Sequence, residues 1–95
     1  MNWPFDQLEN VVTVTTRQVM VKHLPVLSVV HYSEDHSWAF TCGITNASED
    51  LMLVGMAEVI STDNTLLSIA DLPPGWCAER SFIGGDWVRY RSDDL

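Results

Sequence analysis

The sequence is poor in basic residues and in cysteine, and it has no long apolar run. Its 95 residues include 5 Lys and Arg against 13 Asp and Glu, so the formal net charge is −8. An acidic surface repels phosphate backbones and anionic lipid, so we expect neither a nucleic-acid partner nor a membrane partner. No apolar stretch approaches the roughly 18 residues that a membrane-spanning helix needs.

Two cysteines, Cys42 and Cys77, are too few for a disulfide framework. The first ten residues, M-N-W-P-F-D-Q-L-E-N, have no basic segment followed by an apolar one, so they predict no secretory signal. These features favour a cytoplasmic protein with reduced thiols. No His or Cys pair has zinc-ligand spacing, and Gly84-Gly85 lacks the following helix of a phosphate loop. We therefore expect no metal and no cofactor.

The chain is predicted to be a single domain over residues 1–95, because this length leaves no room for a second core. Its apolar fraction of 46% is typical of a globular protein rather than a disordered one. Short stretches rich in β-branched, aromatic and other apolar residues are bounded by turn residues, which indicates strands. These stretches are residues 11–15, 26–32, 37–42, 51–54, 76–82 and 87–91.

Helix signals separate some of these strands. Gly55 can begin a short helix that runs to about residue 61, and Asp63 can cap a second one over residues 65–70. Thr16 can cap a helical turn over residues 17–22, although the continuing alternation there also allows one longer strand. The sequence thus predicts an α+β domain. Its small antiparallel sheet would be built from two β-hairpins plus a central strand, with two short helices packed on one face.

The stretch D-L-P-P-G-W-C-A-E-R at residues 71–80 combines prolines, a glycine, a tryptophan and charged residues. Backbone geometry is enough to explain most of it. Pro73 forbids a helix at the preceding residue, and Pro74-Gly75 fits the centre of a type II turn. In the strand that follows, Arg80 would share a face with Trp76, Ala78 and Phe82, whereas Cys77 would point to the other face.

A buried Arg80 would need a carboxylate partner, for which Asp63 and Asp71 are the candidates. We favour a structural role for Arg80 over a binding role.

Aromatic and arginine residues are concentrated in the last twenty positions, and such residues are enriched at interface hot spots. The alternative is that the tryptophans belong to the core and the arginines pair with local acids. On the first interpretation the candidate protein-binding residues are Trp87, Arg89, Tyr90 and Arg91.

The order of three motifs resembles a broad group of small uncharacterised bacterial domains. These motifs are W-A-F-T-C-G at residues 38–43, the Asp-led helix at 63–70, and the proline-rich stretch at 71–80. The chain is also similar to a related family with the pattern W-x-F-x-x-G, D-x-x-apolar, P-x-G-x-A-x-E-R. In this chain the last element reads P-P-G-W-C-A-E-R. The matching residues are Trp38, Phe40, Gly43, Asp63, Pro74, Gly75, Ala78 and Arg80.

Some members of that related family are assigned as immunity proteins of polymorphic toxin systems. The resemblance therefore implies a bacterial cytosolic protein, with toxin neutralisation as one of the roles open to it. Our leading hypothesis from the sequence is a non-enzymatic domain that binds a protein partner, which would be a basic toxin in that role. An acidic surface suits such a partner. The alternative is a homodimeric housekeeping or regulatory domain that associates through an exposed sheet face. A third hypothesis, a small enzyme that uses Cys42 or Cys77, is less favoured because neither cysteine has a recognised catalytic context.

Overall fold

The computed structural model describes residues 3–43 and 48–92 of the chain. Within these residues six strands form one mixed sheet, with the order β4-β1-β3-β2-β5-β6. The strands are β1 (Val12–Thr16), β2 (Ser28–His31), β3 (Trp38–Thr41), β4 (Leu51–Gly55), β5 (Trp76–Glu79) and β6 (Val88–Arg91). The helices are α1 (Arg17–Met20) and α2 (Met56–Ile60), with 3₁₀ helices at Ser48–Asp50 and Asn64–Ile69.

The α+β class is confirmed, but the predicted sheet is only partly right. Both hairpins form, since β2 pairs with β3 and β5 pairs with β6 in antiparallel register. No strand separates the hairpins, because β2 pairs directly with β5. The remaining strands lie beyond β3, where β1 pairs with β3 in parallel and with β4 in antiparallel register. The sheet is therefore mixed, with six strands, rather than purely antiparallel.

Side-chain hydroxyls reinforce the parallel contact. Thr13 and Thr15 are buried on β1, and their hydroxyls donate to the carbonyl oxygens of Trp38 and Phe40 on β3. The threonines of the V-T-V-T-T segment therefore hold β1 beside β3, which no local sequence signal indicates.

The helices pack on one face of the sheet, as predicted. α1 contributes Val19 to the buried cluster, and Cys42 extends the cluster just beyond β3. The sheet contributes the side chain of every second strand residue, because successive side chains of a strand point to opposite faces. The cluster unites Val29, Trp38, Phe40 and Ala78 from the sheet with Met56, Val59 and Ile60 from α2 and Leu66 and Ile69 from the 3₁₀ helix.

The helix signals are confirmed in position but not in every detail. The Asp63 side chain caps the next helix by accepting from the Thr65 backbone N–H at 2.9 Å. That helix is a 3₁₀ helix over Asn64–Ile69 rather than the predicted helix over 65–70. A helix also follows Thr16, which excludes the longer strand, although the Thr16 side chain makes no capping hydrogen bond.

The strand predicted over residues 76–82 is too long, because β5 ends at Glu79. A turn begins at Phe82, whose carbonyl oxygen accepts from the Gly85 N–H at 3.0 Å. This turn takes Phe82 off the buried face and leaves the ring 65% exposed. The loop predicted over residues 43–50 includes positions 44–47, which lie outside the described residues.

The Pro-Gly turn forms as the sequence predicts. Gly75 has a φ of +86°, and the Trp76 N–H donates to the Pro73 carbonyl oxygen at 3.2 Å. Gly75 also forms hydrogen bonds to the chain segments on either side of β5. Its N–H donates to the His31 carbonyl oxygen at 2.7 Å, and its own carbonyl oxygen accepts from the Ser92 N–H at 2.9 Å. The turn therefore joins β5 to both neighbouring strands.

Gly75→Ala is expected to lower the free energy of unfolding by about 1–2 kcal/mol, because an L residue is strained at positive φ. Steric overlap is not the cause, since an added Cβ would meet the Ser33 Cβ at an ordinary 3.6 Å. Urea denaturation measures the loss. Gly55→Ala is the control, because Gly55 has a φ of −68° and should lose less than about 1 kcal/mol. Equal losses for the two variants would contradict the backbone explanation.

Candidate protein-binding face of the sheet

One face of the sheet carries none of the packed helices. It holds polar residues on three neighbouring strands, Thr41, Ser28 and Glu79, and beside them an apolar row. The paired residues of the six strands form a continuous row across it, because each strand places one residue of the row opposite its neighbours. We call this face, with its flanking residues Val12, Leu51 and Val88, the open face. The row, from β4 to β6, is Leu53, Val14, Ala39, Val30, Cys77 and Tyr90.

The open face exposes large apolar side chains at both of its edges. Leu53 is 72% exposed on β4, and Val88 is 67% exposed on β6. In the middle of the row Ala39 and Cys77 are buried beside their neighbours. The centre of the face is therefore flat and formed by small residues, and its margins offer side chains that are free to contact another molecule.

Glu79 brings the only charge to the strand positions of the open face, and it contacts Tyr90. The Tyr90 hydroxyl donates to Glu79 Oε1 at 3.2 Å. Burial, together with the nearby Cys77 and Glu79, raises the pKa of Tyr90 to about 12. Burial also raises the pKa of the Cys77 thiol. Both groups are therefore neutral near pH 7, which suits a contact surface better than a nucleophile.

We expect both cysteines to resist iodoacetamide at pH 7.5 in the folded protein and to react once it is unfolded. Cys42 is 2% exposed in the core, and the Cys77 thiol is protonated and buried in the row. Mass spectrometry of the alkylated chain, with and without urea, measures the difference. Rapid modification of one cysteine in the folded protein would support the enzyme hypothesis instead.

The Arg80 side chain is buried in a network of hydrogen bonds on the helix-bearing side. Nη2 donates to Asp63 Oδ2 at 2.8 Å, and Nη1 donates to Thr65 Oγ1 at 2.9 Å. Nε donates to the Val26 carbonyl oxygen at 3.1 Å, and the guanidinium carbon lies 4.3 Å from the centre of the Trp87 ring. Asp63 is thus the partner of Arg80, and the structural interpretation accounts for all of its contacts.

We expect the Asp63 carboxylate to make the free energy of unfolding fall at acidic pH. Burial acts to raise its pKa, but hydrogen bonds from Thr65 and Arg80 outweigh burial and hold the pKa below its usual 3.8. A lowered pKa contributes stability above the unfolded-state value, and that contribution disappears as the pH falls through the folded-state value. We therefore expect denaturation curves to show a loss of stability below about pH 4 that Asp63→Asn reduces.

The control for this experiment is Asp71→Asn, since Asp71 is an exposed partner of Arg89. This change should lower stability at pH 7 by well under about 1 kcal/mol. If Asp63→Asn left the acid side of the curve unchanged, Asp63 would not be the group responsible.

The candidate protein-binding residues of the last strand do not form one surface. Tyr90 lies on the open face, whereas Arg89 and Arg91 occupy the alternate positions that face the helix layer. Arg89 donates to Asp71 at 2.7 Å and to the Ser68 carbonyl oxygen at 3.1 Å. Trp87 packs against the core cluster, and its indole N–H donates to the Ser68 hydroxyl. Arg91 is exposed.

A buried histidine lies at the end of β2. His31 Nδ1 is 2.7 Å from the Leu72 carbonyl oxygen, and Nε2 is 3.0 Å from Asp6 Oδ2. Asp6 Oδ1 also accepts from the Trp38 indole N–H at 2.9 Å. Through these contacts His31 and Asp6 link the N-terminal segment to the sheet.

Apart from Tyr90, the residues of the open face were not identified as binding residues from the sequence. A signal was present in the strand 51–55, where L-M-L-V-G puts apolar residues at both alternate positions. A strand with one solvated face normally alternates apolar and polar residues. Apolar residues on both faces therefore indicate that the second face is also covered, either within the chain or by another molecule.

Across residues 3–43 and 48–92, no three His, Cys, Asp or Glu side chains are grouped as a metal site requires. The same part of the chain contains no helix with the length and apolar character to cross a bilayer. Comparison with protein-family models, with curated proteins and with solved structures finds no match. The function must therefore be argued from the residues themselves.

Proposed function

We propose that this chain is a non-enzymatic domain that binds a protein, and that masking a basic toxin in the bacterial cytosol is its role. The observation that carries the proposal is the open face, with its row of apolar side chains across all six strands. Large apolar side chains exposed at both margins of such a row are typical of interaction sites. The toxin itself is proposed from the motif resemblance and from the net charge of −8.

The test immobilises the full chain and measures which proteins it retains from the source cells. Leu53→Asp should abolish retention of a specific partner, because it places a charge in the apolar row. Leu8→Asp is the matched control, since Leu8 is also 72% exposed but lies outside the sheet. Circular dichroism and urea denaturation must show that both variants are folded. Equal retention by the two variants, or no retained protein at all, would contradict the proposal.

The toxin role has its own test. A large secreted toxin should be encoded beside this chain, and co-expression of the chain should restore growth of cells that express that toxin. Leu53→Asp should fail to restore growth, and Leu8→Asp should restore it. Absence of such a neighbouring gene across genomes would refute the toxin role. The protein-binding role would then be tested by the immobilised chain alone.

A second copy of the chain is the alternative occupant of the open face. A homodimer would cover the same apolar row, and the domain would then act in housekeeping or regulation. Sedimentation equilibrium distinguishes the two cases, because a wild-type dimer that Leu53→Asp converts to a monomer would favour the alternative.

A further inference from the structure

Exposed acidic residues lie at both ends of the sheet that carries the open face, and they restrict what can cover it. Glu34 and Asp35 lie in the turn between β2 and β3, at one end of the sheet, and both are exposed. At the other end Glu79 lies on the face, Glu49 precedes β4, and Asp86 precedes β6, all exposed. We call these five residues the acidic rim.

Basic side chains offset the acidic rim only in part. Arg17 follows β1 at the same end as Glu79, and the neighbouring Lys22 donates its backbone N–H to the Arg17 carbonyl oxygen; both side chains are exposed. The other three basic residues point elsewhere, since Arg80 is buried against Asp63, while Arg89 and Arg91 occupy the alternate positions of β6. The five acids of the rim therefore outnumber the two exposed basic residues near it.

The size of the face makes the rim part of any stable interface. Six strands spaced about 4.8 Å apart and about four residues long give a flat footprint of roughly 300–400 Å². A standard protein interface buries about 800 Å² on each partner. A partner that covers the open face therefore extends onto the rim and meets its carboxylates.

We infer that the occupant of the open face is a protein patch with an apolar centre and a margin of lysine or arginine, and is not a second copy of this chain. Two copies placed face to face would bring two acidic rims together, and like charges across an interface cost affinity. A basic margin would instead attract the rim and increase the rate of encounter. This inference rests on the proposed protein-binding function and names the chemistry of the partner.

The experiment uses the wild-type chain and the protein that the immobilised chain retains. Association is measured by surface plasmon resonance at 50 mM and 500 mM NaCl. We expect affinity to fall at least about tenfold at the higher salt, mainly through a slower on-rate, because salt screens exposed charges. Glu34→Lys should weaken binding about three- to tenfold at 50 mM NaCl and much less at 500 mM.

Glu58→Lys is the matched control, because Glu58 is an exposed acid on α2, on the opposite side of the sheet. It should change affinity less than about twofold. Binding that Leu53→Asp abolishes but that neither salt nor Glu34→Lys alters would overturn this inference and leave the protein-binding function standing. A wild-type homodimer formed through the open face would also overturn it. Binding unaffected by Leu53→Asp would overturn the proposed function itself.

Discussion

Replacing Arg80 with methionine is expected to lower the free energy of unfolding by about 3–5 kcal/mol, the range typical when one member of a buried ion pair is removed. The Arg80 side chain has no exposed surface, and that of Asp63 is 11% exposed. The change leaves the Asp63 carboxylate without its cation and the Val26 carbonyl oxygen without its donor. Urea denaturation at pH 7 measures the loss.

Arg89→Met is the matched control for this prediction. Arg89 also pairs with an aspartate, Asp71, but their side chains are 33% and 76% exposed. Solvent screens such a pair, so the expected loss is below about 1 kcal/mol. If the two methionine variants lost the same stability, the buried contacts with Asp63 would not be the source of the stability that Arg80 contributes.

Trp38→Ala should have a comparable effect, with an expected loss of about 3–5 kcal/mol. The ring stacks against His31 at 3.9 Å between centroids, lies nearly parallel to Phe40, and meets Phe5 edge to face. Truncation removes all three ring contacts and leaves a cavity at the centre of the core. Thermal and chemical denaturation measure the loss.

Trp38→Phe separates the packing contribution from the hydrogen bond. Phenylalanine keeps most of the apolar contact but cannot donate to Asp6 Oδ1. Asp6 is 37% exposed and water can replace the donor, so the expected loss is only about 1–2 kcal/mol. A loss as large as that of Trp38→Ala would show that the Asp6 contact, rather than packing, dominates at this position.

Features that depend on neighbouring residues could be predicted from the sequence. The hairpin of β2 and β3, the Pro74-Gly75 turn and the Asp63 cap each follow from a few adjacent residues. Strand order could not be predicted in the same way. The parallel pairing of β1 with β3 joins distant segments, and the threonine hydroxyls that support it gave no local signal.

The candidate site was predicted less well than the fold, because aromatic and arginine content indicates residue types but not the face on which they lie. In β6, Tyr90 and Arg89 are adjacent in sequence and point to opposite sides of the sheet. The proline-rich stretch at 71–80 was interpreted correctly as turn and strand, and its Cys77 proves to lie in the row of the open face. Of the two candidate partners of Arg80, Asp63 is the one that it contacts, and Asp71 pairs with Arg89 instead.

The position of β1 has a consequence for how the sheet assembles. Each hairpin can form from neighbouring segments of the chain, whereas the β2–β5 contact joins distant segments. β4 is also distant from its partner, and it reaches the rest of the sheet only through β1, which pairs with both β4 and β3. Contacts between distant segments form slowly because long loops must close first. Without β1, β4 has no partner in the sheet, so two of the six residues in the apolar row, Val14 and Leu53, are in place only after β1 has docked.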